Sequence, residues 1–99
     1  MSRTVTLKRE KRFWGSAVKW SIFIDGKYVG NISNGQELSI PISNGLHTVY
    51  WEIAEMAASG GTQTVRSEVI HIPEDGDSFR YRLITRIGMF QNTYTYYEE

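Results

Sequence analysis

Few residues in this 99-residue chain have the chemistry for acid–base catalysis or metal binding. His47 and His71 are the only histidines, and there is no cysteine. A metal site needs several nitrogen, sulfur or carboxylate ligands that converge on one point. Both histidines share a strand parity with apolar residues. We therefore expect partly buried histidines bonded to the backbone, with no bound metal and no cofactor.

Nucleophilic catalysis is also poorly supported by the sequence. A catalytic serine needs a base and an orienting acid within reach, whereas the serines here lie in predicted turns or on strand faces. No Gly-x-Ser-x-Gly elbow and no glycine-rich phosphate loop is present. Glu74, Asp75 and Asp77 form an acidic loop after Pro73, but their spacing differs from that of an EF-hand. We expect no catalytic residue and no enzymatic activity.

A basic segment beside two aromatic residues is the first candidate interaction surface. Basic side chains next to aromatic rings can follow a phosphate backbone and stack on bases, or can hold an anionic membrane surface. The plainer alternative, which we prefer, is a solvated connection in which Phe13 and Trp14 fold down over the core. The candidate residues in this segment are Lys8, Arg9, Lys11, Arg12 and Trp14.

Three arginines on one predicted strand face form a second candidate surface. Arg80, Arg82 and Arg86 share one parity, and like charges so close repel unless something compensates them. Acidic residues on a neighbouring strand are the plain compensators, and an anionic ligand is the sharper alternative. The acidic residues considered for this role are Glu52, Glu68 and Glu98.

Tyrosines near the end of the sequence form the third candidate surface. Tyr94 and Tyr96 share one strand face, and Tyr97 takes the other. Tyrosine suits positions that are apolar on one side and wet on the other. Stacking on a sugar is one use, and closing the last strand onto its sheet is the simpler one.

The charge and composition of the chain argue against some classes of protein, such as nucleic-acid-binding and membrane-spanning proteins. Residues 1–27 contain seven Lys or Arg against two acidic residues, and residues 28–99 contain four Arg against nine, so the whole chain is neutral. A neutral chain is a poor candidate for tight nucleic-acid binding, which neutralises many phosphates. The missing cysteine weakly favours the cytoplasm, and no apolar run of about 20 residues spans a bilayer. We expect one soluble, cytoplasmic domain over residues 1–99.

Turn signals and alternating apolar residues predict the elements. Asn-Gly, Asp-Gly and Gly-Gly pairs recur at short intervals and tolerate the positive φ angles of tight turns. Between them apolar residues alternate, as half-buried strands require. One helical turn is allowed over 52–59, and a bulge is expected near Glu68. The predicted strands are 3–8, 17–25, 27–32, 36–42, 46–54, 63–72, 79–87 and 90–97, which favour a small antiparallel β-sandwich over a barrel.

Residues 22–53 carry a family resemblance. They contain an Ile-Asp-Gly-x-x-x-Gly hairpin followed by a Gly-x-His-x-Val strand; the matching positions are Asp25, Gly26, Gly30, Gly45, His47 and Val49. This third of the chain resembles PEGA-type bacterial domains and related small immunoglobulin-like sandwiches. The resemblance implies a non-catalytic, immunoglobulin-like accessory or interaction module, and it carries over no catalytic residue.

The sequence therefore predicts a non-enzymatic interaction or scaffold module that associates with itself or with another protein, most simply as a homodimer. The alternative is a domain that binds a polyanion or a carbohydrate through the basic segment or the tyrosines. The last strand lacks the proline, inward charge or bulge that usually protects a sheet edge until Glu98 and Glu99. We expect self-association through that strand if it lies at an edge.

Overall fold

The computed structural model describes residues 3–12, 18–56 and 59–99 and shows an all-β chain. Apart from one predicted strand that is divided in two, each strand lies where the alternation predicts it, with ends that differ by no more than three residues. The strands are β1 (Arg3–Arg9), β2 (Trp20–Ile24), β3 (Lys27–Ile32), β4 (Glu37–Ile42), β5 (His47–Met56), β6 (Thr62–Arg66), β7 (Ile70–Ile72), β8 (Ser78–Arg86) and β9 (Thr93–Glu98).

The strands form two sheets that pack as the predicted sandwich. Sheet A has the order β4-β1-β8-β9, and sheet B has the order β3-β2-β5-β6, with β7 also paired to β5. Every pair is antiparallel except β1 and β8, which are parallel. A wholly antiparallel fold was expected. The exception is possible because no hairpin joins β1 to β8; the chain between them is long enough to return in the same direction.

The core lies between the inward faces of the two sheets. Trp20 and Trp51 stack with ring centroids 5.9 Å apart, and the Tyr94 ring meets Trp20 edge-on at 5.7 Å. Such offset and edge-on pairs are the favoured geometries of aromatic rings. The predicted core residues Trp20, Ile22, Val49 and Trp51 are all buried, as are Val5, Leu7, Ile24, Ile32, Ile53, Ile70, Ile72, Phe79, Tyr81 and Leu83.

The predicted strand over 63–72 is divided into β6 and β7 near the position expected for a bulge. The Ser67 backbone N–H still donates to the Trp51 carbonyl, but the Glu68 N–H donates to the Tyr94 carbonyl of β9, each at 2.9 Å. Between the end of β6 at Arg66 and the start of β7 at Ile70, the chain therefore leaves the strands of sheet B and contacts the edge of sheet A. This crossing hydrogen-bonds the two sheets together.

The possible helical turn over 52–59 is wrong for the part that the structure describes. Residues up to Met56 continue β5, and the register pairs Ala54 with Thr64 and Met56 with Thr62. Pairing with β6 supplies the backbone hydrogen bonds that a short, isolated helical turn would have to find locally, so tertiary pairing overrides the helix propensity of alanine. Ala57 and Ala58 lie outside the described residues.

The Asp25-Gly26 turn forms the tight hairpin between β2 and β3 as predicted. Asp25 has φ of 52° and Gly26 has φ of 81°, the left-handed pair that a two-residue type I′ turn requires. Asparagine and aspartate tolerate this region better than other side chains. The turn fixes the Asp25 carboxylate at the sheet end, where it reaches β5.

Trp51 gives a test of the core. Trp51→Ala should lower the free energy of unfolding by about 3–5 kcal/mol, because it leaves a cavity among buried side chains. Trp51→Phe should cost clearly less. It keeps an aromatic ring and removes an indole N–H that is buried without a hydrogen-bond partner among the described residues. Urea denaturation of the three proteins measures both effects. Equal losses for the two variants would contradict this account of the core.

Candidate interaction surfaces

The basic segment is only partly a surface. Arg9 is 3% exposed, so its guanidinium lies inside the sandwich and is not displayed as the sequence suggested. Lys11 is exposed, while Lys8 and Arg12 are half-buried. Trp14 and its neighbour Phe13 lie outside the described residues. The segment thus divides into one inward arginine and three basic side chains that reach solvent.

Arg9 lies over the face of Trp20, with its guanidinium carbon 4.1 Å from the ring centroid. Its Nη1 donates to the carbonyl of Val18 at 2.6 Å and to that of Ile32 at 3.1 Å. Burial lowers the pKa of Arg9, although an arginine stays charged in proteins. The guanidinium therefore holds the start of β2 and the end of β3 against the end of β1. The Arg9 backbone N–H also donates to the Gln36 carbonyl, next to the start of β4.

Arg3 lies buried at the other end of β1, and its role was not anticipated. Its Nε donates to the Gly76 carbonyl at 2.9 Å, and its Nη1 donates to the carbonyls of Ser43 at 3.0 Å and Gly45 at 2.9 Å. Its Nη2 donates to the Pro73 carbonyl. One guanidinium therefore ties together the loop between β4 and β5 and the loop between β7 and β8.

Two of the three predicted arginines of β8 are paired with acidic residues, which is the kind of compensation expected. Arg80 Nη2 lies 2.7 Å from Glu37 Oε1, and Arg82 Nη2 lies 3.2 Å from Glu99 Oε2. The predicted partners Glu52, Glu68 and Glu98 are not the ones used. Sheet order explains why Glu52 is not used, because β4 and β9 flank β1 and β8 in sheet A, whereas Glu52 lies in sheet B. Glu98 lies in β9 beside β8, but it is in register with Tyr81, on the opposite face of the sheet from Arg80 and Arg82. Arg86 is exposed at the end of β8.

The tyrosines of β9 occupy three environments. Tyr94 is buried, and this burial, together with the hydrogen bond that its hydroxyl donates to Glu55, raises the pKa of Tyr94 to about 12. Tyr96 is half-buried and meets Tyr81 edge-on at 5.7 Å. Tyr97 points the other way and is 47% exposed. Tyr94 and Tyr96 thus close β9 onto the core, and only Tyr97 is freely displayed.

Asp25, His47 and Ser43 form a polar cluster with the residue types of a catalytic triad. His47 Nδ1 lies 2.6 Å from Asp25 Oδ2, and Ser43 Oγ lies 3.4 Å from His47 Nε2. The Ser43 carbonyl oxygen is closer to Nε2, at 2.8 Å. Both ring nitrogens therefore face acceptors, which suits the imidazolium form, in which both donate. A general base needs a free lone pair on Nε2 directed at the hydroxyl, and this arrangement does not offer one.

The two histidines have different burial and different hydrogen-bond partners. His47 is bonded to backbone as expected, with a carboxylate partner in addition. His71 is exposed and lies on the opposite face of β7 from Ile70 and Ile72, so its expected partial burial is wrong. Among the described residues no group of three His, Cys, Asp or Glu side chains is placed to hold a metal ion. No helix in that part of the chain is long and apolar enough to cross a membrane.

The outward face of sheet B carries an aromatic row that the sequence reasoning missed. Phe23 and Tyr50 stack at 5.2 Å, Tyr28 meets Phe23 at 5.9 Å, and the Arg66 guanidinium lies 4.3 Å from the Tyr50 centroid. Parity places Phe23 and Tyr50 outward, but their register across β2 and β5 emerges only with strand pairing. Arg66 also pairs with Glu52 at 3.2 Å.

A groove of about 700 Å³ opens at the end of the sandwich where β8 turns into β9. Trp20 and Ile53 contribute apolar surface, Arg12 and Glu55 contribute charge, and Ile87, Met89 and Phe90 line it from the β8–β9 loop. These three loop residues are largely exposed. The predicted strands 79–87 and 90–97 included Ile87 and Phe90, whereas the structure places both residues in the loop between β8 and β9. The run of apolar side chains was a usable signal for this loop.

The Asp25–His47 pair gives a pH-dependent stability. The hydrogen bond to Asp25 and that to the Ser43 carbonyl raise the pKa of His47, and the same bond to His47 and one from the Thr48 N–H lower the pKa of Asp25. A raised histidine pKa stabilises the fold fully below the unfolded value of about 6.5 and loses its contribution as pH rises through the folded value. The lowered pKa of Asp25 contributes above its unfolded value of about 3.9 and is lost as pH falls through the folded value.

The melting temperature should therefore fall as pH rises above about 6.5, while His47 loses its proton. Asp25→Asn should flatten that dependence, because the neutral amide no longer favours the imidazolium. His71→Gln is the control, since His71 is exposed, and it should leave the profile unchanged. Thermal melts across this range measure the effect. A profile that Asp25→Asn leaves intact would show that the pair does not act on stability.

Comparison with known proteins returns no relative from which a site could be transferred. No family model, no curated protein and no solved structure matches this chain. The similarity of residues 22–53 to PEGA-type domains therefore stays a prediction from the residues themselves.

Proposed function

We propose that this chain is a non-catalytic interaction module that associates with a second copy of itself through the edge of sheet A formed by β9. The observation that carries the proposal is the position of β9 at the end of the strand order β4-β1-β8-β9. An edge strand presents unpaired N–H and C=O groups to solvent, which can pair with another strand.

Successive residues of β9 direct their backbone N–H and C=O groups to opposite sides of the strand, so the groups available for pairing can be identified. The Glu99 N–H donates to the Arg80 carbonyl, so the odd-numbered residues of β9 direct their backbone at β8. The even-numbered residues Tyr94, Tyr96 and Glu98 direct theirs outward. Glu68 already occupies the Tyr94 carbonyl, which leaves the backbone groups of Tyr96 and Glu98 without a backbone partner among the described residues.

The other edges are better protected against pairing. Pro41 lies in β4 opposite Thr4, at a position whose missing N–H faces outward, because the neighbouring register positions are the ones bonded to β1. The register between β2 and β3 shifts near Ile22, and the remaining edge is divided between β6 and β7. These are the usual devices against edge pairing, and they leave β9 as the strand best suited to a second copy.

A two-fold axis near Tyr97 would satisfy both copies. Tyr96 of one copy would then face Glu98 of the other, and sheet A would continue across the interface. The exposed Tyr97 side chains would meet on the outer face and bury tyrosine surface. Glu99 is already held by Arg82 at 3.2 Å, which limits the repulsion between the acidic strand ends.

Glu98 gives a matched test of this interface. Glu98→Pro removes the outward N–H without touching the core, since Glu98 is exposed. Glu98→Ala removes the same side chain and keeps the N–H. Two N–H donors are lost per symmetric dimer at about 1 kcal/mol each, so Glu98→Pro should weaken dimerisation at least about tenfold relative to Glu98→Ala.

Sedimentation equilibrium at micromolar concentration measures the dimer, and circular dichroism checks that each variant stays folded. A wild-type chain that remains a monomer at high concentration would refute self-association. Dimers of equal strength in the two Glu98 variants would show that the contact lies elsewhere.

A further inference from the structure

The two ends of the sandwich carry opposite charge. The molecule measures 48 × 23 × 21 Å, and the strands place residues 10–12, 18–19, 33–36, 59–61 and 87–92 at one end. We call this the basic end, because its loops and strand termini carry Lys8, Lys11, Arg12, Lys19 and Arg86 against Glu10, Glu37 and Glu55. The acidic end carries Asp25, Glu74, Asp75, Asp77, Glu98 and Glu99 against Lys27, with Arg3 buried.

The basic end also displays the two most exposed large apolar side chains of the described residues, Met89 and Phe90, with Ile87 close to them. Ile87 is 66% exposed, Met89 is 91% exposed and Phe90 is 95% exposed. We call residues 87–90 the apolar loop. Single exposed apolar residues are ordinary on protein surfaces, but several together mark a binding region. Arg86 immediately precedes this loop, so charge and apolar surface lie side by side.

We propose that the basic end docks on an anionic lipid bilayer, with the apolar loop inserted among the headgroups and the basic side chains facing the lipid phosphates. A bilayer surface offers apolar chains and negative charge at adjoining depths, which matches this combination. The acidic end faces away from the membrane in this orientation, so the charge distribution of the whole molecule favours it.

The structure holds the basic side chains close to the loop. The Arg12 backbone N–H donates to the Asn34 side chain at 2.8 Å, and the Asn34 amide donates back to the Arg12 carbonyl at 2.9 Å. Arg12 Nη1 donates to the Thr85 carbonyl at 3.0 Å. These bonds fix Arg12 beside the end of β8, where it lines the same groove as the apolar loop.

A single introduced cysteine can report the insertion, because the chain has no cysteine of its own. Met89→Cys, labelled with a fluorophore sensitive to polarity, should shift to the blue on vesicles of phosphatidylcholine with about 30% phosphatidylserine. Leu46→Cys is the matched control, since Leu46 is an exposed apolar residue, 72% accessible, at the acidic end. Its label should not shift. Labels that respond alike, or a Met89 label that does not respond, would overturn the proposal.

Vesicle sedimentation of unlabelled protein tests the two contributions separately. Replacing both Met89 and Phe90 by Ser should weaken partitioning at least about tenfold, through lost apolar burial. Lys11→Gln together with Arg86→Gln should weaken it severalfold, and salt at about 0.5 M should do the same to wild type. Leu46→Ser should bind as wild type does. Equal binding to pure phosphatidylcholine would contradict the role of the basic residues.

A protein partner is the competing occupant, and a second copy is its simplest form. Loop variants that abolish dimerisation in sedimentation equilibrium, with no vesicle binding by wild type, would assign the apolar loop to a protein interface and refute membrane docking. Membrane docking and dimerisation through β9 can be tested independently of each other. Glu98→Pro should weaken the dimer and leave vesicle binding intact.

Discussion

Two arginine side chains point inward from opposite ends of β1, and the sandwich has to satisfy their charge inside. Burying a charge without compensation is costly. Arg3 meets four backbone carbonyls from two loops, and Arg9 meets two carbonyls and the face of Trp20. Each guanidinium thereby joins segments that are distant in sequence. Val5 and Leu7 lie between the two arginines and are buried in the core. The inward side chains of β1 therefore connect the two ends of the sandwich.

Both proposed functions therefore lie on the surface of the sandwich. The described core is filled by aliphatic and aromatic side chains, and the Asp25–His47 cluster is arranged to hold a proton and stabilise a turn. The edge of β9 and the basic end are the two proposed contact regions, and they differ in chemistry. They also constrain one another. Antiparallel pairing of two β9 strands would point the two basic ends in opposite directions, so a dimer would engage one bilayer through a single apolar loop.

Period-two alternation and turn residues were sufficient to predict the sandwich. Trp20, Ile22, Val49 and Trp51 show it, because a buried face leaves a direct mark on strand sequences. The partners of Arg80 and Arg82 could not be predicted, since Glu37 and Glu99 come close only through the sheet order. The parallel pairing of β1 with β8 was hidden for the same reason.

The buried position of Arg9 was not predicted from the sequence, for a different reason. Its parity matches that of Val5 and Leu7, which was a readable signal for an inward position. Arginine is rarely buried, and Lys8 and Lys11 lie close to Arg9 in the sequence. Both facts favoured a surface position for Arg9. The acceptors that make burial tolerable are backbone carbonyls, and backbone carbonyls have no sequence signature. Arg3 went unnoticed for the same reason.

The free energy of unfolding of arginine variants tests the role of β1 most directly. Arg3→Met and Arg9→Met keep the length of the side chain and remove its donors, whereas Arg86→Met removes an exposed arginine. In urea denaturation each buried variant should lose at least about 2 kcal/mol, since several carbonyls lose a charged donor. Arg86→Met should stay within about 0.5 kcal/mol of wild type. Losses at Arg3 and Arg9 no greater than that at Arg86 would contradict the account.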